Sequence, residues 1–280
     1  MIYIGRKNRL RVLKAVDFGV YLDGGEVGEI LLPWREVPDD CRPGDWLHVF
    51  VYNDSEDRPI ATRQTPLAMV GEAAYLKVRQ QTDVGAFMDW GLSKDLLVPF
   101  SEQARPMTPG RSYVVYLFLD AQTNRIAAST KLSRHLSEDG GGFQPGEKVK
   151  LMIASRTALG YKAVINNTHL GLIFKTDVFQ PLRFGQQLKG FIKTIRDDGK
   201  IDLTLQPAAD AVRDQLEGKI LEYLRRHRGI SRITDRSPPE MIYKTFGTSK
   251  ANFKRALGRL YKKRRVLIER HQVSLVDDHD

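Results

Sequence analysis

The stretch Phe18-Gly19-Val20-Tyr21-Leu22 decides the fold, because its pattern returns twice further along the chain. The glycine recurs as Gly85 and Gly160, and fourteen residues after the three glycines come Pro33, Pro99 and Phe174. Twenty-five residues after each of these glycines comes a second glycine, at Gly44, Gly110 and Gly185. Sixteen residues after each second glycine comes an isoleucine, at Ile60, Ile126 and Ile201. Equal spacing with little residue identity indicates one domain fold used three times in the first 205 residues. Such arrays usually bind polymers.

Within each repeat the apolar residues alternate as they do in β-strands. Leu47, Val49 and Val51 alternate with other side chains after the turn Gly44-Asp45, and a short final strand is predicted around Ile60. Five short strands in about 65 residues, with a glycine where the chain must bend, predict a small Greek-key barrel. A repeat of that length is at the lower limit for a domain with its own core, so we expect separate domains on a string.

These residues resemble a known family. The motifs Phe18-Gly19-Val20-Tyr21-Leu22, Gly28-Glu29-Ile30-Leu31-Leu32-Pro33 and Pro43-Gly44-Asp45 are similar to the RNA-binding OB fold called the S1 domain. That family places two aromatics around the glycine, and a histidine fourteen residues after it, on its nucleic-acid face. The resemblance implies contacts at Phe18 and Tyr21 in the first repeat and at Phe87 in the second, where prolines replace the histidine. In the third repeat the family positions hold Leu159, Lys162 and Phe174, with Tyr161 one position off and Lys175 beside Phe174. We expect Tyr161 or Phe174 to stack a base and Lys162 and Lys175 to contact phosphates.

After Pro207 the apolar period changes from that of strands to that of helices. One helix is predicted over 211–228 and ends at Gly229, and a second begins at Ser237-Pro238-Pro239-Glu240 with Ser237 as its N-cap. A third begins near Ser249. Its predicted buried stripe is Phe253, Ala256, Leu257, Leu260 and Tyr261. With two strands, at 266–268 and 273–276, this pattern indicates a winged helix.

The third helix is the one that enters a groove in helix-turn-helix proteins. Arg255, Arg259 and Lys262 project opposite its apolar stripe, which predicts contact with nucleic acid. Two other interpretations are a solvated helix face and a surface for docking a protein.

The net charge of +10 is unevenly distributed. Residues 1–68 carry −2 (9 Lys/Arg, 11 Asp/Glu) and residues 69–142 carry zero (8 of each). Residues 143–207 carry +5 (10 and 5), and residues 208–280 carry +7 (17 and 10). A positive excess confined to the C-terminal half favours a polyanionic partner. We therefore expect the third barrel, with Lys148 and Lys150 among its contacts, and the winged helix to form the main RNA site jointly.

Three S1-like barrels followed by a winged helix resemble the conserved virulence factor B family of bacterial RNA-binding proteins. The stretch most similar to that family begins at Gly247-Thr248-Ser249-Lys250 and continues to Lys262. The resemblance implies RNA binding with regulatory consequences. Because stacking and charge read little of the base edge, we expect a non-catalytic regulator that binds single-stranded RNA with low sequence specificity.

The predicted domain limits are 1–64, 67–132 and 144–206 for the barrels and 211–277 for the winged helix. Between the second and third barrels, the stretch 136–142 has no apolar periodicity and ends in three glycines, which predicts an exposed hinge.

Several classes of protein are disfavoured. The single cysteine, Cys41, permits no disulfide framework, and no apolar run is long enough for a signal peptide or a membrane span, so we expect a cytoplasmic protein. We find no phosphate-loop glycine pattern, no His-Glu-x-x-His motif and no metal-ligand cluster, and therefore expect no cofactor, no metal and no enzymatic activity.

Three alternatives stay open at this point. The chain could be a DNA-binding transcription regulator that works through the winged helix, or an interaction scaffold on the ribosome or polymerase. A ribonuclease is the third alternative, although the carboxylates that such an enzyme needs are not apparent.

Overall fold

The computed structural model describes residues 2–178, 180–206 and 209–276, and within 209–215 only the backbone. The first barrel is formed by β1 (Lys7–Val16), β2 (Gly19–Asp23), β3 (Glu29–Pro33), β4 (Trp46–Asn53) and β5 (Pro59–Thr62). The second is formed by β6 (Ala73–Gln81), β7 (Gly85–Asp89), β8 (Leu96–Pro99), β9 (Ser112–Leu119) and β10 (Ile126–Ser129). The third is formed by β11 (Lys148–Arg156), β12 (Gly160–Ile165), β13 (His169–Phe174), β14 (Gln187–Ile195) and β15 (Ile201–Thr204).

All three barrels are closed and share one strand order, which in the first is β1-β2-β3-β5-β4. Strand β1 pairs antiparallel with β2 and with β4, while β3 and β5 run parallel to each other. This is the five-stranded OB-type barrel that the sequence spacing predicts.

The three repeat glycines occupy the same place in their barrels. Gly19 opens β2 and lies opposite Pro33 of β3, and Gly85 lies opposite Pro99 in the same way. A Cβ atom on Gly19, Gly85 or Gly160 would overlap the carbonyl oxygen of residue 32, 98 or 173 respectively. Two strands approach so closely here that only glycine fits.

The first two barrels are not separate domains on a string. Phe50 and Tyr52 of β4 belong to the same buried cluster as Trp90, Leu92 and the core of the second barrel. The ring of Trp90 lies edge-on to Phe50, with the ring centroids 5.7 Å apart. The expectation of independent domains is therefore wrong for this pair, because barrels of this size gain apolar burial by sharing a core.

Polar contacts fix the same junction. The indole of Trp90 donates a hydrogen bond to the carbonyl oxygen of Lys94 at 2.6 Å, and Lys94 Nζ donates to the carbonyl oxygens of Asn53 and Asp54 at 3.0 and 2.6 Å. A lysine from the second barrel therefore satisfies backbone acceptors at the end of β4.

The C-terminal part is a winged helix. Its elements are α1 (Ala209–Arg226), β16 (Ile230–Ser231), α2 (Pro239–Phe246), α3 (Lys250–Lys262), β17 (Val266–Ile268) and β18 (Val273–Leu275). The strands form a sheet in the order β16-β18-β17. Ser249 is the N-cap of α3, and its hydroxyl accepts a hydrogen bond from Asn252 N at 3.2 Å.

Three details differ from the sequence-based expectation. Tyr261 is 54% exposed and lies outside the buried stripe of α3. Ser237 is not the N-cap of α2, because Pro238 holds that position and the Ser237 hydroxyl instead accepts a hydrogen bond from Thr234 N. Strand β16 was not predicted, since two residues are too few to show a period.

The chain forms two compact units, Met1–Ser137 with Val164–Leu170, and Glu138–Ala163 with Gly171–Asp280. The division falls inside the stretch 136–142. Leu136 is buried and Gly140 N donates a hydrogen bond to the carbonyl oxygen of Gly199 at 2.9 Å. Gly141 and Gly142 at its end are exposed, so the stretch is packed only in part and the predicted hinge stays a prediction. The domain limits 1–64, 67–132, 144–206 and 211–277 stay a prediction.

Two kinds of feature are missing from the described ranges. No helix in them is long and apolar enough to cross a membrane. Within the same ranges, no three His, Cys, Asp or Glu side chains are grouped so that they could hold a metal ion.

The close approach at the repeat glycines leads to a stability prediction. Gly19→Ala should lower the free energy of unfolding by roughly 3 kcal/mol, because the new methyl group forces β2 and β3 apart. The matched control is Gly142→Ala, since a Cβ there would have no atom within 4 Å. Urea unfolding followed by tryptophan fluorescence measures both. Equal midpoints for the two variants would contradict the assignment.

Candidate nucleic-acid interface

The first barrel presents exposed aromatic rings where β1 turns into β2. Phe18 is 57% exposed, and its ring lies edge-on to that of half-buried Tyr21 at a centroid separation of 6.2 Å. Lys14 Nζ lies 5.1 Å from the centroid of the Tyr21 ring and also forms an ion pair with Glu29 at 2.7 Å. Two aromatic rings and a cation therefore share this part of the surface.

Trp34 belongs to the same surface and was missed from the sequence. It is 47% exposed, its backbone N–H donates to the carbonyl oxygen of Phe18, and its indole N–H donates to the carbonyl oxygen of Val16 at 2.9 Å. The hydrogen bond to Val16 thus holds one edge of the indole in place, while much of the ring is exposed to solvent. We call Phe18, Tyr21 and Trp34 the aromatic platform.

The platform position of Trp34 exists in every barrel. Fifteen residues after the repeat glycine stand Trp34, Phe100 and Lys175, each the first residue of a 3-10 turn that follows the third strand. The equal spacing from the repeat glycine could have identified this position as a candidate contact. Because the three side chains differ in chemistry, the sequence alone did not mark it as one.

An acidic residue anchors each of these turns. Glu36 accepts hydrogen bonds from the Thr62 hydroxyl and from Arg63 N, and Asp177 accepts one from Lys193 Nζ at 2.8 Å. In the second barrel Glu102 binds Arg134 at 3.0 Å. Burial alone would raise the pKa of the Glu102 carboxyl, but hydrogen bonds from Ser129, His135 and Arg134 lower it below the ordinary value.

The second barrel carries a weaker version of this surface. Phe87 is half-buried, whereas Phe100 and Val84 are 47% and 52% exposed. Its nearby cation, Arg79, is engaged by Asp89 and Asp95 at 2.9 and 3.1 Å. This surface thus combines apolar side chains with an arginine that two carboxylates already engage.

The third barrel replaces the rings with polar and aliphatic groups. Lys162 occupies the Tyr21 position and forms an ion pair with Glu138 at 2.8 Å, and Tyr161 beside it is half-buried. Phe174 lies under the guanidinium of Arg196, 5.3 Å from the ring centroid. Lys175 is exposed.

Lys148 and Lys150 lie on a different strand pair. Both are exposed on the part of β11 that pairs with β14, where they are opposite Phe191 and Lys189. In the closed strand order β14 and β12 flank β11 on opposite sides. The fold thus separates these two lysines from Lys162 on β12.

The winged helix presents two of its three predicted cations on an open face. Arg255 and Lys262 are exposed on α3, whereas Arg259 binds Glu217 of α1, with Nε 2.6 Å from Oε1. Lys263 binds the other carboxylate oxygen of Glu217 at 2.8 Å. Arg259 therefore holds α3 against α1, a role that sequence reasoning missed because its partner lies 42 positions away.

Glu217 is buried, and its ionisation depends on these two partners. Burial alone would raise the pKa of its carboxyl, but hydrogen bonds from Lys263 and Arg259 and their positive charges lower it below 4.5, its ordinary value. The carboxylate is thus kept charged inside the domain.

A cleft of about 450 Å³ lies between the third barrel and the start of α3, within one compact unit. Its lining includes Lys193, Gln206, Asn252 and Arg255. Asn252 Nδ2 donates a hydrogen bond to Gln206 Oε1 at 2.5 Å, while the buried Gln206 Nε2 has no partner among the described residues. The cleft thus combines a guanidinium with amide donors.

Comparisons with known proteins agree with this architecture. The family model of the S1 domain matches residues 4–64 and 70–131, and that of the CvfB-like winged helix domain matches residues 218–275. YitL of Bacillus subtilis is 31% identical over 278 residues, which span 95% of this chain and 91% of the relative.

Two further matches have lower identity. Conserved virulence factor B of Staphylococcus haemolyticus is 24% identical over 271 residues, spanning 93% of this chain and 90% of the relative. A multidomain protein with nucleic acid binding domains from Streptococcus pneumoniae matches with 22% identity and a TM-score of 0.42, over 98% of each chain.

The buried carboxylate generates a pH prediction. Because the pKa of Glu217 is lowered on folding, its stabilisation is fully present above pH 4.5 and is lost as the pH falls through the folded-state pKa. Glu217→Gln should lower the free energy of unfolding at pH 7 by about 1–3 kcal/mol, and this difference from the wild type should shrink below pH 4.5.

Thermal unfolding followed by circular dichroism at a helix band measures this effect, since α1, α2 and α3 all belong to the winged helix. Glu222→Gln is the control, because this exposed carboxylate pairs only with Arg226 one turn away in the described chain and should contribute less than about 0.5 kcal/mol. If the stability difference between Glu217→Gln and the wild type does not change with pH, Glu217 is not a charged, buried carboxylate in the folded protein.

Proposed function

We propose that this chain, which belongs to the conserved virulence factor B family of proteins with S1 domains and a CvfB-like winged helix, binds single-stranded RNA with little sequence preference. The observation that carries the proposal is the aromatic platform. Phe18 and Trp34 are large apolar side chains exposed to solvent, and Lys14 lies over the ring of Tyr21, the third member of the platform.

The platform suits single strands because their bases have free faces. Stacking of a base on an exposed ring contributes about 1–3 kcal/mol and tolerates every base. Trp34 is held by its indole hydrogen bond to Val16, so little side-chain freedom is lost when a base stacks on it. A duplex, whose bases are already stacked and paired, cannot use such rings without being opened.

Phosphate contacts come mainly from the C-terminal half. Residues 143–280 carry a net +12, from 27 Lys/Arg and 15 Asp/Glu. Lys175, Arg255 and Lys262 are exposed and form no ion pair with any described residue. We assign phosphate binding to them and to the β11 pair Lys148 and Lys150, and we assign Arg259 to holding the winged helix together.

The cleft beside Arg255 supports a joint contribution of the third barrel and the winged helix. Its guanidinium and the amide groups of Gln206 and Asn252 are the donors that a phosphate and a base edge accept. In this proposal the cleft binds one nucleotide of a single strand. Tyr161, Lys162 and Phe174 line the path of that strand on the third barrel, although Lys162 already pairs with Glu138 and Phe174 already lies under Arg196. In the second barrel, half-buried Phe87 offers a separate apolar contact.

The biological role that we propose is post-transcriptional regulation by a non-catalytic, cytoplasmic protein. Weakly selective binding to single strands changes how long a message stays accessible to other factors, and needs no chemistry on the RNA. The staphylococcal relatives carry a name that links those proteins to virulence.

One observation favours the alternative of DNA binding through the winged helix. Arg255 and Lys262 are both exposed on α3, the helix that enters a groove in related folds. The ion pair of Arg259 with Glu217 leaves that face with one cation fewer for a DNA groove, so we prefer the proposal of single-stranded RNA binding.

The platform gives the direct test of the proposal. In the full chain, Trp34→Ala and Phe18→Ala should each weaken binding of a uridine oligonucleotide at least about fivefold, since each removes one stacking surface. The control is Leu67→Ala, which removes an apolar side chain that is 66% exposed on the connection between two barrels. Fluorescence anisotropy of labelled RNA gives the dissociation constants.

The same titrations separate the alternatives. If about five phosphates are neutralised, log affinity against log salt should have a slope of roughly −3 to −4. Stronger competition by duplex DNA than by single-stranded RNA would favour the DNA-binding regulator, and shortening of the labelled RNA with magnesium would favour a ribonuclease. Binding by both platform variants at the wild-type level would refute the assignment of the platform.

A further inference from the structure

The outer face of β1 and β4 in the first barrel is basic, although residues 1–68 carry a net −2. Leu10 and Val12 point into the barrel core, so the alternating residues Lys7, Arg9 and Arg11 are exposed. Their partners across the strand pair are Phe50, His48 and Trp46 respectively. We call Lys7, Arg9, Arg11 and Trp46 the basic ladder.

Trp46 is the unusual member of the basic ladder. Its side chain is 54% exposed, and the Arg9 guanidinium lies 5.0 Å from the centroid of its ring. Within the described chain its indole N–H has no hydrogen-bond partner, unlike those of Trp34 and Trp90. Solvent therefore meets three groups together, namely the Trp46 ring, the Arg9 guanidinium against it and the indole N–H without a partner in the described chain.

The cations of the basic ladder are not neutralised. No carboxylate of the described residues forms an ion pair with Lys7, Arg9 or Arg11, although acidic residues outnumber basic ones in this part of the chain. Elsewhere in the same barrel, Lys14 and Arg58 do have carboxylate partners. Three like charges kept side by side without counter-charges form a local field that favours a polyanion.

The basic ladder is separate from the aromatic platform. In the closed strand order β4 and β2 flank β1 on opposite sides, and the platform is formed around β2 and the end of β3. A base stacked on Trp34 therefore leaves Trp46 unoccupied.

The equivalent strand pair of the second barrel shows that this face is not basic by necessity. In the second barrel the positions of Lys7 and Arg9 are taken by buried Ala73 and by Tyr75, and the position of His48 by buried Val114. In the third barrel the corresponding positions are Lys148, Lys150 and Lys189. The face is partly covered in the second barrel, where Ala73 N donates a hydrogen bond to Asn167 Oδ1. The barrel fold thus forms with apolar residues at these positions and does not itself require cations there.

We propose that the basic ladder is a second site for a single-stranded RNA segment, with Trp46 stacking a base and Arg9, Arg11 and Lys7 contacting phosphates. Alternate residues of a strand lie about 7 Å apart, so the three cations form a row along which the phosphates of an extended strand can lie. This inference rests on the proposed function, because it adds a site to a chain already proposed to bind RNA.

The test uses the full chain and uridine oligonucleotides of increasing length. Trp46→Ala should weaken binding of long oligonucleotides at least about fivefold. Arg9→Gln combined with Arg11→Gln should make the plot of log affinity against log salt shallower by about 1.4, or about 0.7 for each phosphate that is no longer neutralised. The matched controls, Tyr75→Ala and Lys77→Gln, alter the positions of Arg9 and Arg11 in the second barrel and should leave both quantities unchanged.

The outcomes distinguish this inference from the proposed function. If the wild type binds no RNA, the proposed function fails and the second site fails with it. If the wild type binds and loses affinity on Trp34→Ala but not on Trp46→Ala or the double arginine variant, only the second site is refuted. Equal losses in the second-barrel controls also refute it, because the effect would then not belong to the basic ladder. Unchanged thermal unfolding of Trp46→Ala excludes misfolding as the cause.

Discussion

The close approach of two strands at the repeat glycines is the constraint on which the three barrels depend. At Gly19, Gly85 and Gly160 the second strand lies against a carbonyl oxygen of the third, and any side chain would part them. This contact sets the register of the two strands, and the register determines where the 3-10 turn after the third strand begins. The side chain that starts that turn is thereby held at the surface, whether it is Trp34, Phe100 or Lys175.

Much of the fold could be predicted from the sequence, because its determinants are local. Glycine spacing and strand alternation located the barrels, and helical periodicity located the winged helix. Contacts between distant residues could not be predicted in this way. The packing of Trp90 on Phe50 and the ion pair of Arg259 with Glu217 join residues about 40 positions apart, and no local pattern marks either partner. The candidate site could be predicted only in part for a related reason. Phe18 and Tyr21 follow from a motif, whereas Trp34 occupies a position whose chemistry differs among the repeats, and the binding roles of all three stay a proposal.

The three copies of one barrel have diverged in charge and in exposed surface while keeping their backbone. The first copy carries exposed rings and a basic strand pair within an acidic stretch of chain. The second carries apolar groups beside Arg79, which two carboxylates engage, and the third carries lysines. Divergence of this kind is possible because the barrel core and the glycine contact use inward-facing and backbone atoms only. The outward side chains were thus free to differ in charge and chemistry among the three barrels.

The shared core of the first two barrels has a consequence for how the protein is made. Phe50 and Tyr52 lie at the end of a barrel whose last strand finishes at Thr62, yet their ring partner is Trp90. During synthesis at about 5–20 residues per second, the intervening stretch takes roughly 1 to 6 seconds to appear. For that interval the nascent first barrel has a complete set of strands and an uncovered aromatic end. The order of synthesis therefore leaves an apolar surface of the first barrel open to nonspecific association until the second barrel covers it.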